Sequence, residues 1–319
     1  MRDAVGAADR LGAAVTAAVD DLLEQASAPP GPVFVGWVAA VDASTCPARY
    51  RAQGEDGWGF PGWSPATAAG AIARAALDHH LDGPNSERLP EPLEVVRRWM
   101  RASGALDARG VAGWVGELRF ERDGATLAAA AAAASRWLGG FLRVLGWPLP
   151  DDLTLLNVTR PGSPASAPKW WPRQGSPVSV GSAADARRGR ITGSGGYSLV
   201  VHRPSSGDDR DLHRRATFEA AAGALVNRVA PAAVVVAAGD TGERPRVVVD
   251  EVLLTTGGEM IVEVVRQRVV AVDRGYDAAD ATPSPQCRWC ERIADCPPGA
   301  AWLAGPGRWR GGLPVLSPG

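Results

Sequence analysis

The residues of this chain best suited to chemistry are its four cysteines, and their spacing is uneven. Cys46 stands alone near the N-terminus. Cys287, Cys290 and Cys296 fall within ten residues as C-x2-C-x5-C, and 240 residues separate the single cysteine from the trio. Thiolates are ligands for soft metals, and clustered cysteines in a reducing compartment point to metal binding over disulfides. Four of them can hold zinc or an iron–sulfur cluster. Structural zinc sites usually come as two paired C-x2-C knuckles. Here Cys46 has no partner knuckle and the trio is asymmetric, which favours a [4Fe–4S] cluster, whose larger core takes four splayed thiolates; zinc is the alternative. Cys46-Pro47 and Cys296-Pro297 each set a proline after the thiol, removing a backbone N–H and stiffening the turn.

The rest of the chain must position these residues. With 319 residues, 45% of them hydrophobic, it can bury a sizeable core. The net charge of −1 carries no global signature of a nucleic-acid binder. Lys169 is the only lysine, so arginine supplies the remaining permanent positive charge. The N-terminus lacks the pattern of a secretory signal. Arg136 and Arg143 frame the Ala128–Ala134 run too closely for a membrane span of roughly 20 residues. A soluble, cytoplasmic protein is expected.

Apolar spacing predicts helices over 3–26, 41–51 around Cys46, 65–80, 90–103 and 126–145, with a strand over 112–120. After a Pro/Gly/Ser-rich stretch at 161–176, short β-like runs follow at 177–181, 197–202, 232–238 and 246–249. A helix over 211–229 separates the second run from the third, the segment 239–242 reads as a hairpin turn, and a last helix covers 259–273. The expected organisation is a mainly helical part, 1–160, carrying Cys46. A β-β-α-β core with a following helix, 177–275, comes next, then a cysteine loop, 283–300, all in one structural unit.

At this point the residues carry a resemblance. A lone Cys-Pro at the end of an early helix, in Asp42-Ala43-Ser44-Thr45-Cys46-Pro47-Ala48-Arg49-Tyr50, fits a C-P-x-x-[YF] pattern. With C-x2-C-x5-C near the C-terminus and a β-β-α-β order between, the chain resembles the cluster-bearing branch of the RecB-like PD-(D/E)XK nucleases. That branch includes AddB-type helicase–nuclease subunits and the exonucleases of CRISPR adaptation. The resemblance implies an α/β nuclease core and a [4Fe–4S] cluster on Cys46, Cys287, Cys290 and Cys296. It also implies Mg²⁺ or Mn²⁺ chemistry on DNA, if the catalytic motifs are intact.

They are altered. Where the family has G-x-x-x-H, Gly70 leads to Arg74, which cannot ligate a cation. Where it has G-x-(I/V)-D, Gly181-Ser182-Ala183-Ala184-Asp185 carries one extra residue, leaving Asp185 as a vestigial candidate. Where it has (V/I)-D-x-K, Val201 takes the place of the carboxylate and Arg203 that of the lysine, a poor proton-transfer group. The Q-x-x-x-Y helix motif reads Arg214-Arg215-Ala216-Thr217-Phe218. Asp208, Asp209, Asp211 and Glu219 are the nearby carboxylates, and their ordinary reading is a solvated acidic loop and a helix-face glutamate.

The expected function is therefore a catalytically inactive nuclease homologue with a structural cluster, binding DNA or joining a complex with a protein such as a helicase. Arg74, Arg187, Arg188, Arg203, Arg214 and Arg215 are the candidate phosphate contacts. Two alternatives stand beside it: a divergent metal-dependent DNA exonuclease using Asp185 with Asp208 or Glu219, and a redox- or iron-responsive DNA-binding regulator. His79-His80 reads as a helix end, Trp170-Trp171 as loop packing or a base-stacking pair, and Trp289 as a shield over the metal. The absence of P-loop, G-x-G-x-x-G and H-E-x-x-H motifs argues against NTP hydrolysis, dinucleotide binding and zinc proteolysis.

Overall fold

The structure, a computed structural model, describes residues 2–55, 65–81, 91–101, 111–120, 122–146, 149–156, 169–191, 196–203, 209–239, 241–284, 287 and 290–305. It is mixed α/β, and the chain forms two compact units. One comprises residues 1–14, 59–171 and 180–258, the other 15–58, 172–179 and 259–319, so each draws on separate stretches of sequence. Among the described residues no helix is long and apolar enough to cross a membrane.

The first unit is built on a five-stranded sheet of β2 (Leu153–Leu155), β5 (Ala186–Gly189), β6 (Tyr197–Arg203), β7 (Ala233–Ala238) and β8 (Arg246–Val248), in the spatial order β2-β5-β6-β7-β8. Helix α8 (Asp209–Asn227) lies between β6 and β7 in sequence, and these two are the sheet's parallel pair, with Val201 opposite Val236. The other pairs are antiparallel, Ala186 facing Val200 and Ala233 facing Val248. A parallel neighbour needs such a crossover, whereas hairpin neighbours do not.

Strand alternation sends Val200 and His202 to one face of β6 and Leu199, Val201 and Arg203 to the other. The Val200 face is covered by α4 (Pro65–Leu81), α5 (Pro92–Arg101), α6 (Val111–Phe120) and α7 (Gly124–Leu145). In α7, Leu127, Ala130, Ala134, Leu138 and Phe141 recur at helical spacing and pack with Ile72, Leu77, Val96, Val115, Ala186 and Val200. The other face takes α8. At Gly223 a β-carbon would come within 2.5 Å of Leu199 Cδ1, so glycine lets the helix lie close on the strand.

The second unit holds β1 (Val33–Val35), α2 (Trp37–Thr45), α3 (Pro47–Glu55) and α10 (Pro297–Ala304). Helices α1 (Arg2–Gln25) and α9 (Glu251–Arg274) each contribute residues to both units, as does β4 (Val178–Gly181); β3 (Lys169–Trp170) belongs to the first and pairs antiparallel with β4 through Trp170 and Val180.

Several expectations need correction. Residues 112–120 are helical, because Val115 and Leu118 sit one turn apart and both bury in the helical core. The single helix expected over 41–51 breaks at Cys46 (φ −147°, ψ 89°), since Pro47 lacks an N–H and drives the preceding residue out of the helical region. The last long helix starts at Glu251 instead of residue 259, where Asp250 accepts the Leu253 N–H at 2.8 Å and caps it. The short strands β1, β2, β3 and β5 and helix α10 were not anticipated at all.

Candidate metal centre and buried charge network

Cys46, Cys287, Cys290 and Cys296 line one pocket in the second unit. The trio's spacing has a local cause. Hydrogen bonds run from Cys290 N–H to the Cys287 carbonyl (3.1 Å), Ile293 to Cys290 (3.1 Å) and Cys296 to Ile293 (3.3 Å). Such i→i+3 bonds give three residues per turn and eclipse side chains three apart. Positions 287, 290, 293 and 296 therefore share one side, and Ile293 lines the pocket with the thiols. This three-residue period in C-x2-C-x5-C was available in the sequence as a signal.

Cys46 and Cys296 use a common device. The Cys46 carbonyl accepts the Tyr50 N–H (3.1 Å) and the Cys296 carbonyl accepts the Ala300 N–H (2.9 Å). Each cysteine thus occupies the N-cap of a helix whose first residue is proline, Pro47 for α3 and Pro297 for α10. Helix α3 is pinned by Tyr50 of the motif and by the neighbouring Arg51. Tyr50 is buried beneath Arg268, whose guanidinium lies 4.3 Å from the ring centroid. Arg51, 1% exposed, pairs with Asp280.

Ser284 N–H points to Cys287 Sγ at 3.3 Å, and Tyr276 lines the pocket beside the thiols. Burial pushes the free Cys290 thiol up, opposed by the Arg292 N–H and the Arg49 charge. The backbone also makes room for the sulfurs. A β-carbon on Gly299 would sit 3.1 Å from Cys296 Sγ and 3.5 Å from Cys287 Sγ. Among the described residues no three His, Cys, Asp or Glu side chains form a ready site for a metal ion, so the thiols surround a shared space without closing on one point.

A second cluster lies in the first unit. Asp185, 4% exposed at the entry to β5, accepts Arg74 Nη2 at 2.6 Å on Oδ1 and the His202 backbone N–H at 2.7 Å on Oδ2. Glu219, fully buried on α8, accepts Ser182 Oγ (2.8 Å) and Ala183 N–H (2.9 Å) on Oε2, with Arg215 Nη2 3.0 Å from Oε1. Glu219, read from the sequence as an ordinary helix-face glutamate, is thus a fully buried and paired carboxylate. Burial raises its carboxyl, while Arg215 and the two hydrogen bonds pull it down. Val201 is buried, and Arg203 lies 3.6 Å from Asp211.

His202, on the opposite face of β6, was not singled out from the sequence. Its ring meets Trp137 and Phe141 edge-on, with centroids 4.5 and 5.5 Å away, and neither ring nitrogen has a hydrogen-bond partner among the described residues. Burial, against Asp185 and with Arg74, lowers its pKa from 6.5 to about 4. Between these values the unfolded chain binds the proton and the folded one does not. His202 therefore contributes a loss of stability as pH falls through that window, on the order of 3 kcal/mol in full. The variant His202→Leu is expected to flatten this acid limb while holding neutral-pH stability, because two unpaired nitrogens leave the core. Urea midpoints at pH 7 and 4.5 check it; an unchanged acid limb refutes the assignment.

The other candidates are dispersed. Arg188 Nε pairs with Asp152 at 3.0 Å on an exposed surface, and Arg187 reaches Thr154 Oγ1 at 3.4 Å. Arg214 is half-buried on α8, and Asp209 and Asp211 are exposed at its start. Trp170 is part of β3 and Trp171 is 49% exposed. The expectations for Asp208, Trp289 and the His79-His80 side chains fall outside the described residues. Comparison of the chain with family models, with curated proteins and with solved structures finds no match.

Proposed function

We propose that the chain is a catalytically inactive relative of the RecB-like PD-(D/E)XK nucleases, holding a structural [4Fe–4S] cluster and serving as a DNA-binding or complex-forming subunit. The observation that carries the reading is the meeting of Cys46 with the distant trio in one pocket, with the Ser284 N–H on Cys287. A thiolate ligand is stabilised by such a donor. The asymmetric spacing of the thiols, without paired knuckles, favours a cluster over zinc. Cys46, Cys287, Cys290 and Cys296 would be the ligands. When bound, the cluster supplies cross-linking, and its binding free energy becomes folding free energy.

The sheet supports the inactive reading. Antiparallel β5 and β6, followed by α8 and the parallel β7, are compatible with such a core, although the strand expected to open it, β4, lies outside this sheet. Asp185 opens β5 beside β6, and Val201 and Arg203 share the β6 face that receives α8 and Glu219. Divalent-metal catalysis needs converging carboxylates to hold the ion and a group to activate water. Here Asp185 is neutralised by Arg74 and Glu219 by Arg215, so guanidinium supplies the positive charge that a cation would bring.

Anaerobically purified protein is expected to be brown, with iron and sulfide in near-equal amounts, and to leave labelled DNA ends intact with Mg²⁺ or Mn²⁺. Colourless, zinc-loaded protein refutes the cluster. Mn²⁺-dependent digestion that Asp185→Ala abolishes refutes the inactive reading in favour of a divergent exonuclease. Gel shifts on duplex and single-stranded DNA over a salt series test the DNA-binding role.

A further inference from the structure

The Arg51 side chain connects the two segments that must meet at the thiol pocket. Its guanidinium is buried. One nitrogen, Nε, donates at 3.4 Å to the carbonyl of Pro47, the first residue of α3 and the neighbour of Cys46. Another, Nη2, pairs with the half-exposed carboxylate of Asp280, 229 residues further along the chain. Asp280 closes the 3₁₀ turn Ala278–Asp280, which the Asp277 carboxylate caps by accepting the Ala279 N–H at 2.8 Å. Ala281, Thr282, Pro283 and Ser284 follow directly, and all four line the pocket up to the Ser284 N–H on Cys287.

The trio stays together through local bonds, because its three-residue period is a property of one short segment. Cys46 reaches the trio through tertiary contacts instead. Holding together two segments 229 residues apart carries a loop-closure cost that grows with length. A buried guanidinium stays paired, because parting from its carboxylate leaves an uncompensated charge in the interior. The Arg51–Asp280 pair therefore pre-organises the pocket before any metal enters it. We infer that Arg51 is a positioning residue: with Asp280 it forms a latch that holds Cys46 against the trio, a role that rests on the ligand set proposed above.

The test uses the full chain, purified without oxygen, as wild type and Asp280→Asn, treated with iodoacetamide and mapped by mass spectrometry. Asparagine keeps the shape and removes the charge, and α3 remains tied to Arg268, whose Nε donates to the Tyr50 hydroxyl at 3.1 Å. The variant is expected to take up iron on the trio and to alkylate Cys46 several-fold faster than wild type, while Cys287, Cys290 and Cys296 stay protected. Its visible absorbance bleaches several-fold faster with an iron chelator. The double variant Arg51→Met/Asp280→Asn leaves no charge stranded, so it is expected to melt above Asp280→Asn and still expose Cys46; it gives the reading where Asp280→Asn does not fold. Wild-type labelling of Cys46 in both variants overturns the latch. So does labelling of all four cysteines alike, which assigns the pair to the stability of the whole unit. A colourless wild type sinks the cluster reading separately, and Cys46 labelling in wild type against the variants still decides the latch.

Discussion

On the cluster reading, Cys287→Ala is expected to yield a protein without iron whose second unit is cut readily by protease, while the wild type resists. The residue is only 9% exposed and receives the Ser284 N–H. Its loss leaves three thiols and no closed ligand set. Binding energy in structural metal sites is folding energy, about 10–16 kcal/mol where thiolate zinc sites have been measured, and domains are stable by only about 5–15 kcal/mol. The pocket's walls offer little compensation. Among the described residues of 275–296, Ala278–Asp280 and Glu291–Asp295 are short 3₁₀ turns, and such turns do not hold together without tertiary anchors. Limited proteolysis and thermal melting of both proteins, purified anaerobically, check the result. A Cys287→Ala chain that melts with the wild type would show that the thiols share a pocket for packing alone.

Arg215→Ala is expected to destabilise the first unit by about 3–5 kcal/mol at neutral pH, because it strands a fully buried carboxylate. Glu219→Gln should cost less, since an amide keeps the shape and removes the charge. The double variant should then be more stable than Arg215→Ala alone, the signature of a coupled pair. The pH dependence has a definite sign. Burial already raises the Glu219 carboxyl above its ordinary 4.5, and removing Arg215 takes away the largest opposing influence. A carboxyl raised in the folded state keeps its proton there, so the penalty is absent below the unfolded value and grows as pH rises through the folded one. Arg215→Ala is therefore expected to approach wild-type stability near pH 4.5 and fall away from it by pH 7, apart from the acid limb set by His202 that both share. Denaturant midpoints across that range decide it. A loss that does not vary with pH would mean Arg215 serves packing and not charge.

Much of the fold was legible because periodicity reports burial. The apolar stripe of α7 and the strands β6 and β7 follow from their side chains, since a continuous hydrophobic face can be satisfied only by a partner. The 112–120 segment shows where this fails: nine residues with two glycines fit strand or helix until the neighbouring helices select one. The break at Cys46 was legible in Pro47, a local cause. Strands of two to four residues such as β2, β3 and β5 carry too little pattern to be seen, and their hydrogen bonds are decided by partners far along the chain.

The candidate site divides in the same way. Residue type alone named the four thiols, and their spacing alone carried the three-residue period, because both are properties of the local chain. Sequence likewise marked Val201 and Arg203 as unable to hold or serve a cation. What it left open was the company these residues keep. Only the tertiary structure buries Glu219 against Arg215, Ser182 and Ala183, commits Arg74 to Asp185, and sets His202 between Trp137 and Phe141. These pairings join residues 4 to 111 positions apart. Charge and burial in them depend on distance through space, which no local pattern encodes.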